Sequence, residues 1–240
     1  MNRHKGNTRK GFSLVEMMMV VLILTILVGT MFRQIDRAQT RYSVETRKLD
    51  LTQQNRDFID QFTRDLHQAG YPSPATYGNR VDLSSKLTAA GIWYISQTDL
   101  RMEADVDGTG VVEIAYHYDD GTVAGPNKCP CMMRASAAKI DGTMPWAQMP
   151  NPVYYAQVEN LVPPVAGQPL FLAYSNTGAA IDLTTPKVLA SASLTDPTYQ
   201  FLRTIRNVGI KFTTQAQGND LDTKKSIQVT MSGMARVPSN

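Results

Sequence analysis

The stretch FSLVEMMMVVLILTILVGTMF occupies residues 12–32 and carries a single charge, the carboxylate of Glu16. A membrane-spanning helix needs about 20 predominantly apolar residues. The run is therefore long enough to cross a bilayer. A charged side chain at the bilayer centre costs roughly 2.5–3.5 kcal/mol on insertion scales, which makes a lone acid there a functional candidate. The plainer reading is a carboxylate close to the helix end that reaches the headgroups. Ahead of the run lie Arg3, Lys5, Arg9 and Lys10. A cleavable secretory signal usually has an apolar core of about 7–15 residues followed by small residues at the cut. Here the small residue, Gly11, precedes the run, and Gly29 near its end has no A-x-A neighbourhood. A cut at Gly11 removes the basic leader and leaves the hydrophobic helix on the protein. Met17, Met18 and Met19 read as packing residues, because thioethers without a nearby His or Cys are poor metal ligands.

Lys10-Gly11-Phe12-Ser13-Leu14-Val15-Glu16 resembles the class III signal of type IV prepilins and type II secretion pseudopilins. The features are a Gly, then an aromatic, then an acid four positions later, all at the mouth of an apolar helix. The resemblance implies cleavage between Gly11 and Phe12 by a prepilin peptidase on the cytoplasmic side, and N-methylation of the new terminus at Phe12. It also implies an assembly role for Glu16, paired in the filament core with the terminal amine of a neighbouring subunit. A buried carboxylate opposite a buried ammonium relieves two desolvation penalties at once.

The chain carries 24 Lys+Arg against 21 Asp+Glu, a formal +3. Removing the four leader cations leaves 20 against 21, so the basic character belongs to the leader. Cationic flanks stay on the cytoplasmic side, which points to an inner-membrane, single-pass protein with its C-terminal bulk in the periplasm. Nucleic-acid binding needs a basic face on the domain itself, and no such interface is predicted. The length beyond the anchor suits one domain. Two cysteines, Cys129 and Cys131, flank Pro130. They can bond to each other in an oxidising compartment or remain free thiols.

Between Thr30 and Ala69 there is neither Gly nor Pro, so nothing interrupts a helix leaving the bilayer. Ile35, Ala38, Tyr42, Leu49, Ile59, Phe62, Leu66 and Ala69 follow a three-and-four spacing that marks one buried stripe. Charged residues, Asp65 among them, occupy the other faces and read as solvated. Gly70 sits at the C-terminal cap position, and Tyr71-Pro72 stops continuation. A helix over residues 12–69 is about 85–90 Å long at 1.5 Å per residue. Only Gly29 offers a place for it to loosen.

Beyond Gly70 the pattern turns to strands. Leu100, Met102 and Ala104 alternate before the turn Asp105-Val106-Asp107-Gly108-Thr109-Gly110, and Val112, Ile114, Tyr116 and Tyr118 alternate after it, predicting a hairpin. Phe171 and Ala173, or Leu170, Leu172 and Tyr174, belong to another strand before the turn Asn176-Thr177-Gly178. Val208, Ile210 and Phe212 are expected to pair with Ile227, Val229 and Met231 across a polar loop, residues 213–226. Residues 119–152 and 178–200 read as long loops around short strands. The expected class is α+β, and the resemblance implies the type IV pilin fold: a long N-terminal helix on an antiparallel β head. The expected organisation is a leader at 1–11, a transmembrane and filament-core helix at 12–32, its amphipathic second half at 33–70, and a β head at 71–240.

Within that superfamily the chain is most similar to the PilW-like minor pilins. The matching pieces are Phe62-Thr63-Arg64-Asp65-Leu66-His67-Gln68-Ala69-Gly70-Tyr71, the acidic 105–110 turn followed by Glu113-Ile114-Ala115-Tyr116, the segment Val158-Glu159-Asn160-Leu161, and a final strand pair. Many major pilins carry a helix-breaking proline near the membrane exit and a disulfide-bounded C-terminal loop. This chain has neither, which favours a minor or priming subunit. The partners implied are the prepilin peptidase, other minor pilins, the major pilin and the inner-membrane assembly platform. Rival readings are a minor pseudopilin of type II secretion, a tip adhesin or DNA-uptake subunit using aromatics such as Trp93, Trp146, Tyr154 and Tyr155, and an anchored protein that never polymerises.

No enzyme motif is legible, and neither a metal nor another cofactor is expected. The histidines His4, His67 and His117 lack metal-ligand spacing, and none sits beside a nucleophile motif. Asp105, Asp107 and Gly108 imitate part of a calcium loop, but the full pattern is absent. Asp and Gly supply turn geometry without an ion, so a plain turn is expected there.

Overall fold

The computed structural model describes residues 11–78, 80–122, 130–165, 168–191, 193–219 and 224–238, with side chains 217–219 excepted. The chain divides into two compact units, Met1–Thr46 and Arg47–Asn240. One helix, α1 (Leu14–Gln68), contributes to both. In the first unit it runs unbroken through Gly29, so that glycine does not interrupt it. The hydroxyls of Thr25 and Thr30 are satisfied inside the helix, on the carbonyls of Val21 and Leu27 at 2.8 Å each.

Among the described residues of the second unit, two antiparallel sheets carry the fold. The larger has six strands in the order β5 (Tyr155–Val158), β4 (Cys131–Ala138), β3 (Val112–Asp119), β2 (Asp99–Ala104), β1 (Gly91–Ile95) and β8 (Lys187–Val188). The smaller has four, in the order β10 (Ser226–Arg236), β9 (Ile205–Asn219), β6 (Phe171–Ser175) and β7 (Ala180–Ile181). A short helix, α2 (Pro197–Leu202), is capped by the Asp196 carboxylate, which accepts from the amides of Thr198 and Tyr199. The class is α+β, a long N-terminal helix packed on antiparallel sheets, consistent with the type IV pilin fold.

The second half of α1 ties the two sheets together. Phe58 and Phe62 meet the Tyr116 ring of β3 edge-on at 5.9 and 5.3 Å. The same two rings reach the smaller sheet, Phe58 to Phe212 at 5.6 Å and Phe62 to Phe171 at 6.0 Å. Burying one such side chain is worth about 1.5–3 kcal/mol, and each aromatic pair adds about 0.5–1.5 kcal/mol. The alternation of β2 and β3 delivers Leu100, Met102, Ile114 and Tyr116 to this core, where all are fully buried. Two residues past the end of the helix, Gly70 has a left-handed φ of 80° and its amide donates to the Glu103 carbonyl at 2.9 Å. A side chain there would be strained.

Several expectations needed correction. The buried positions of α1 are Asn55, Phe58, Phe62, Asp65 and Leu66, while Ile35, Tyr42 and Leu49 are exposed. A three-and-four spacing reports a stripe; it does not report whether anything covers it. Asp65, assigned to the solvated face, is 1% exposed. The stretch read as long loops around short strands contains β4, a strand of 8 residues that pairs with β3 along its whole length. Its sequence, CMMRASAA, is too rich in small residues to show a two-residue alternation. In the final pair, Val208, Ile210 and Phe212 lie opposite Ala235, Gly233 and Met231, with Val229 opposite Thr214. β9 continues through Thr213 and Thr214 because β-branched residues suit strands even when polar, and the connection is correspondingly shorter.

Gly233 of β10 lies against α1. A Cβ built there would stand 2.7 Å from Ile59 Cγ2. Overpacking of this kind typically costs about 1–3 kcal/mol. Gly233→Val should therefore lower the thermal midpoint of the head, and Gly233→Val with Ile59→Ala should regain part of the loss. Equal midpoints for Gly233→Val and the parent would refute this contact.

Candidate functional site

Ser13 places its carbonyl where a helix begins, accepting from the amides of Glu16 at 3.0 Å and Met17 at 3.2 Å. Glu16 therefore stands in the first turn of α1, where the positive end of the helix dipole favours an acid. Gly11 and Phe12 precede the helix, exposed and non-helical. A Cβ on Gly11 would meet no heavy atom within 4 Å, and its φ lies outside the left-handed region. The fold does not need a glycine there. A scissile dipeptide does need an accessible, extended approach.

Every large apolar side chain from Phe12 to Phe32 is exposed, from 41% at Val28 to 76% at Phe12 and Leu14. The helix is long and apolar enough to cross a membrane, with a mean hydropathy of 2.4 over its most apolar window. Leu14, Met17, Met18, Val21, Leu22, Thr25 and Ile26 line a shallow apolar groove along one side. Such a surface is stable in lipid or against other apolar helices, and unstable in water. The structure thus puts the predicted residues Gly11, Phe12 and Glu16 together at the mouth of an uncovered apolar helix.

The remaining candidates fall elsewhere. Cys131 is buried at the start of β4 and is not a free thiol; Cys129 lies outside the described residues. His4 also lies outside them. His117 is engaged with Asp99, Nδ1 to Oδ1 at 2.6 Å. The 105–110 turn closes on itself: Asp105 Oδ1 accepts from the Gly108 amide at 2.8 Å, and Asp107 Oδ1 from the Thr109 amide at 3.0 Å. Among the described residues no group of three His, Cys, Asp or Glu side chains could hold a metal ion. Of the aromatics considered for ligand contact, Trp93 is buried, Tyr154 is half-buried, and Trp146 and Tyr155 are exposed.

Among the described residues of the head lie buried polar clusters that sequence reading missed. In the first, Asp65 accepts from Tyr116 Oη at 2.6 Å, Arg134 Nε at 2.9 Å and Gln61 Nε2 at 2.7 Å. Burial, and then the Asp65 carboxylate, push the Tyr116 phenol well above its usual range. In the second, Lys139 Nζ donates to Glu103 Oε2 at 2.6 Å, and Glu113 stands directly opposite Glu103 across the β2–β3 ladder. Burial pushes Glu113 up to about 8, with Arg101 opposing and Glu103 reinforcing. The only sequence signal was an acid on the non-core face of each strand, which reads as solvent-facing.

That second cluster makes stability depend on pH. Below the ordinary Glu value of 4.5 the carboxyl is protonated whether the chain is folded or not, and Glu113 is neutral to stability. As pH rises towards about 8 the unfolded chain releases this proton and the folded chain keeps it, so stability falls. At about 1.36 kcal/mol per pKa unit the full loss is on the order of 5 kcal/mol. Glu113→Gln should remove it, leaving the head more stable than the parent at alkaline pH and similar at acid pH. Parallel stability–pH curves for the two proteins would contradict this.

The family model for the prokaryotic N-terminal methylation motif matches residues 6–32. No curated protein and no solved structure matches the chain. A prepilin-type N-terminal motif, an exposed apolar helix suited to membrane anchoring and an α+β head together support a type IV pilin-like protein, a class that is structural and is handled by a prepilin peptidase and pilus-type assembly machinery.

Proposed function

We propose that the chain is a minor prepilin of the PilW-like kind, cut between Gly11 and Phe12, N-methylated at Phe12, and built into a type IV pilus or used to prime its assembly. The observation that carries this reading is the exposed Gly11-Phe12 step immediately ahead of a helix N-terminus, with Glu16 in its first turn, within a matched N-terminal methylation motif. The subunit waits in the inner membrane as a single-pass protein with its head in the periplasm. It is then extracted and packed by its apolar helix beside the major pilin and other minor pilins, on the assembly platform, and reaches the cell surface in the fibre. The energy comes from an assembly motor elsewhere. Cys129–Cys131 pairing belongs to the same reading, since the head then resides in an oxidising compartment.

The test is the N-terminus of the protein recovered from cells. Mass spectrometry should find a chain beginning at N-methylated Phe12, and replacing Gly11 by a bulky residue should leave the leader attached. A protein that retains Met1 or Asn2 in wild-type cells would sink the proposal. A minor pseudopilin of type II secretion is served by the same motif. Deletion of the gene separates the two: loss of surface pili supports the first reading, and loss of secretion with normal pili supports the second. Exposed Tyr155 and Trp146 favour an adhesin or DNA-uptake role only if their replacement abolishes binding while filaments persist.

A further inference from the structure

We propose that residues 139–154 form a proton-controlled latch over the outer face of the larger sheet, seated while the opposed carboxyls of Glu103 and Glu113 hold a proton and released when both are ionised. The segment begins where β4 ends and finishes where β5 begins. Its last ladder-like bond is the Lys139 amide on the Val111 carbonyl at 2.9 Å. Beyond that it is tied to the 83–88 stretch, where the Gly142 amide donates to the Ser84 carbonyl at 3.0 Å, and to itself. Gln148 Oε1 accepts from the Ile140 amide at 2.7 Å, and Gln148 Nε2 donates to the carbonyls of Ile140 at 3.2 Å and Thr143 at 2.5 Å. Its apolar seat is small: Met149 and Tyr154 lie on Ala115, Ala135 and Ala137. A segment held by so little apolar area depends heavily on the polar groups beneath it.

Those groups do not balance when fully ionised. Glu103 and Glu113 face each other across the ladder and both are completely buried. The Lys139 ammonium is spent on Glu103 Oε2 and on the carbonyls of Leu83 and Thr88, at 2.8 Å each. The Arg101 guanidinium stacks over the Trp93 ring at 5.6 Å and interacts with Tyr154. Neither oxygen of Glu113 has a hydrogen-bond partner among the described residues. Like charges directly opposite on neighbouring strands are destabilising, and a buried charge without a partner must be neutralised or hydrated. Protonation satisfies that demand with the segment down; ionisation demands water, and lifting the segment is the route by which it enters. From β2 the face carries Asp99, Arg101 and Glu103; from β3, Glu113 and His117; from the segment itself, Lys139, Asp141 and Tyr154. Asp99 and His117 are paired with each other, and Asp141 accepts from the Lys86 amide at 2.9 Å.

Hydrogen exchange on the full chain, corrected for intrinsic rates, tests the latch. Between about pH 6 and about pH 9, amides of residues 139–154 should lose roughly tenfold or more of protection beyond the loss at the centres of β3 and β4, which falls only with the overall stability of the head. Glu113→Gln copies the protonated side chain in shape and hydrogen-bonding capacity; it should hold the segment protected at both pH values. His117→Asn should leave the release intact. Unchanged protection in the parent, a loss spread evenly over the head, the same loss in Glu113→Gln, or its disappearance in His117→Asn would each overturn the proposal.

Discussion

An Asp65→Ala chain is expected to lose about 3–5 kcal/mol of head stability, the usual result of removing one partner from a buried ion pair. The carboxylate is 1% exposed and receives bonds from Tyr116, Arg134 and Gln61. Its removal leaves the Arg134 guanidinium without its counter-charge beside a buried phenol. Domains are stable by only about 5–15 kcal/mol, so this one change consumes a large share of the margin. Denaturant unfolding of the full chain in detergent measures it. A chain carrying both Asp65→Leu and Arg134→Met should be markedly more stable than Asp65→Ala alone, because the orphaned charge is gone as well. If Asp65→Ala unfolds at the same denaturant concentration as the parent, the network does not anchor α1.

Replacing Glu16 by Ala should leave cleavage intact and abolish incorporation into filaments. The acid is the only charge in an apolar stretch that otherwise suits lipid. Without it the helix loses the cost of holding a charge at the edge of the hydrocarbon, which is below the central value, and becomes more content in the bilayer. It also loses the group proposed to meet the terminal amine of a neighbour. The processed chain should accumulate in the membrane fraction and vanish from sheared filaments, read by immunoblot. Normal amounts of the Ala variant in sheared filaments would refute the assembly role. Failure of the latch experiment would leave this outcome untouched, since the two rest on different ends of the chain.

The sequence exposed the candidate site more fully than it exposed the head. Gly11, Phe12 and Glu16 are adjacent in the chain, so their grouping required no folding. The hairpin of β2 and β3 was legible because its alternation and its Asp-Gly turn are local. The buried roles of Asp65, Glu103 and Glu113 were invisible for the opposite reason. A charged side chain on a strand or helix reads as solvated until something distant covers it. Asp65 meets Tyr116 and Arg134, on strands far along the chain, and Glu103 meets Lys139, beyond the end of β4.

The sequence by itself determined the apolar N-terminal run, the start and end of α1, the α+β class and the turn chemistry, because hydrophobic period, Gly and Pro act over a few residues. Tertiary structure alone decided which face of α1 is covered, that β4 is a strand, the register of β9 on β10, and which acids lose their water. Those outcomes depend on which distant segments lie opposite one another, and no local pattern records that.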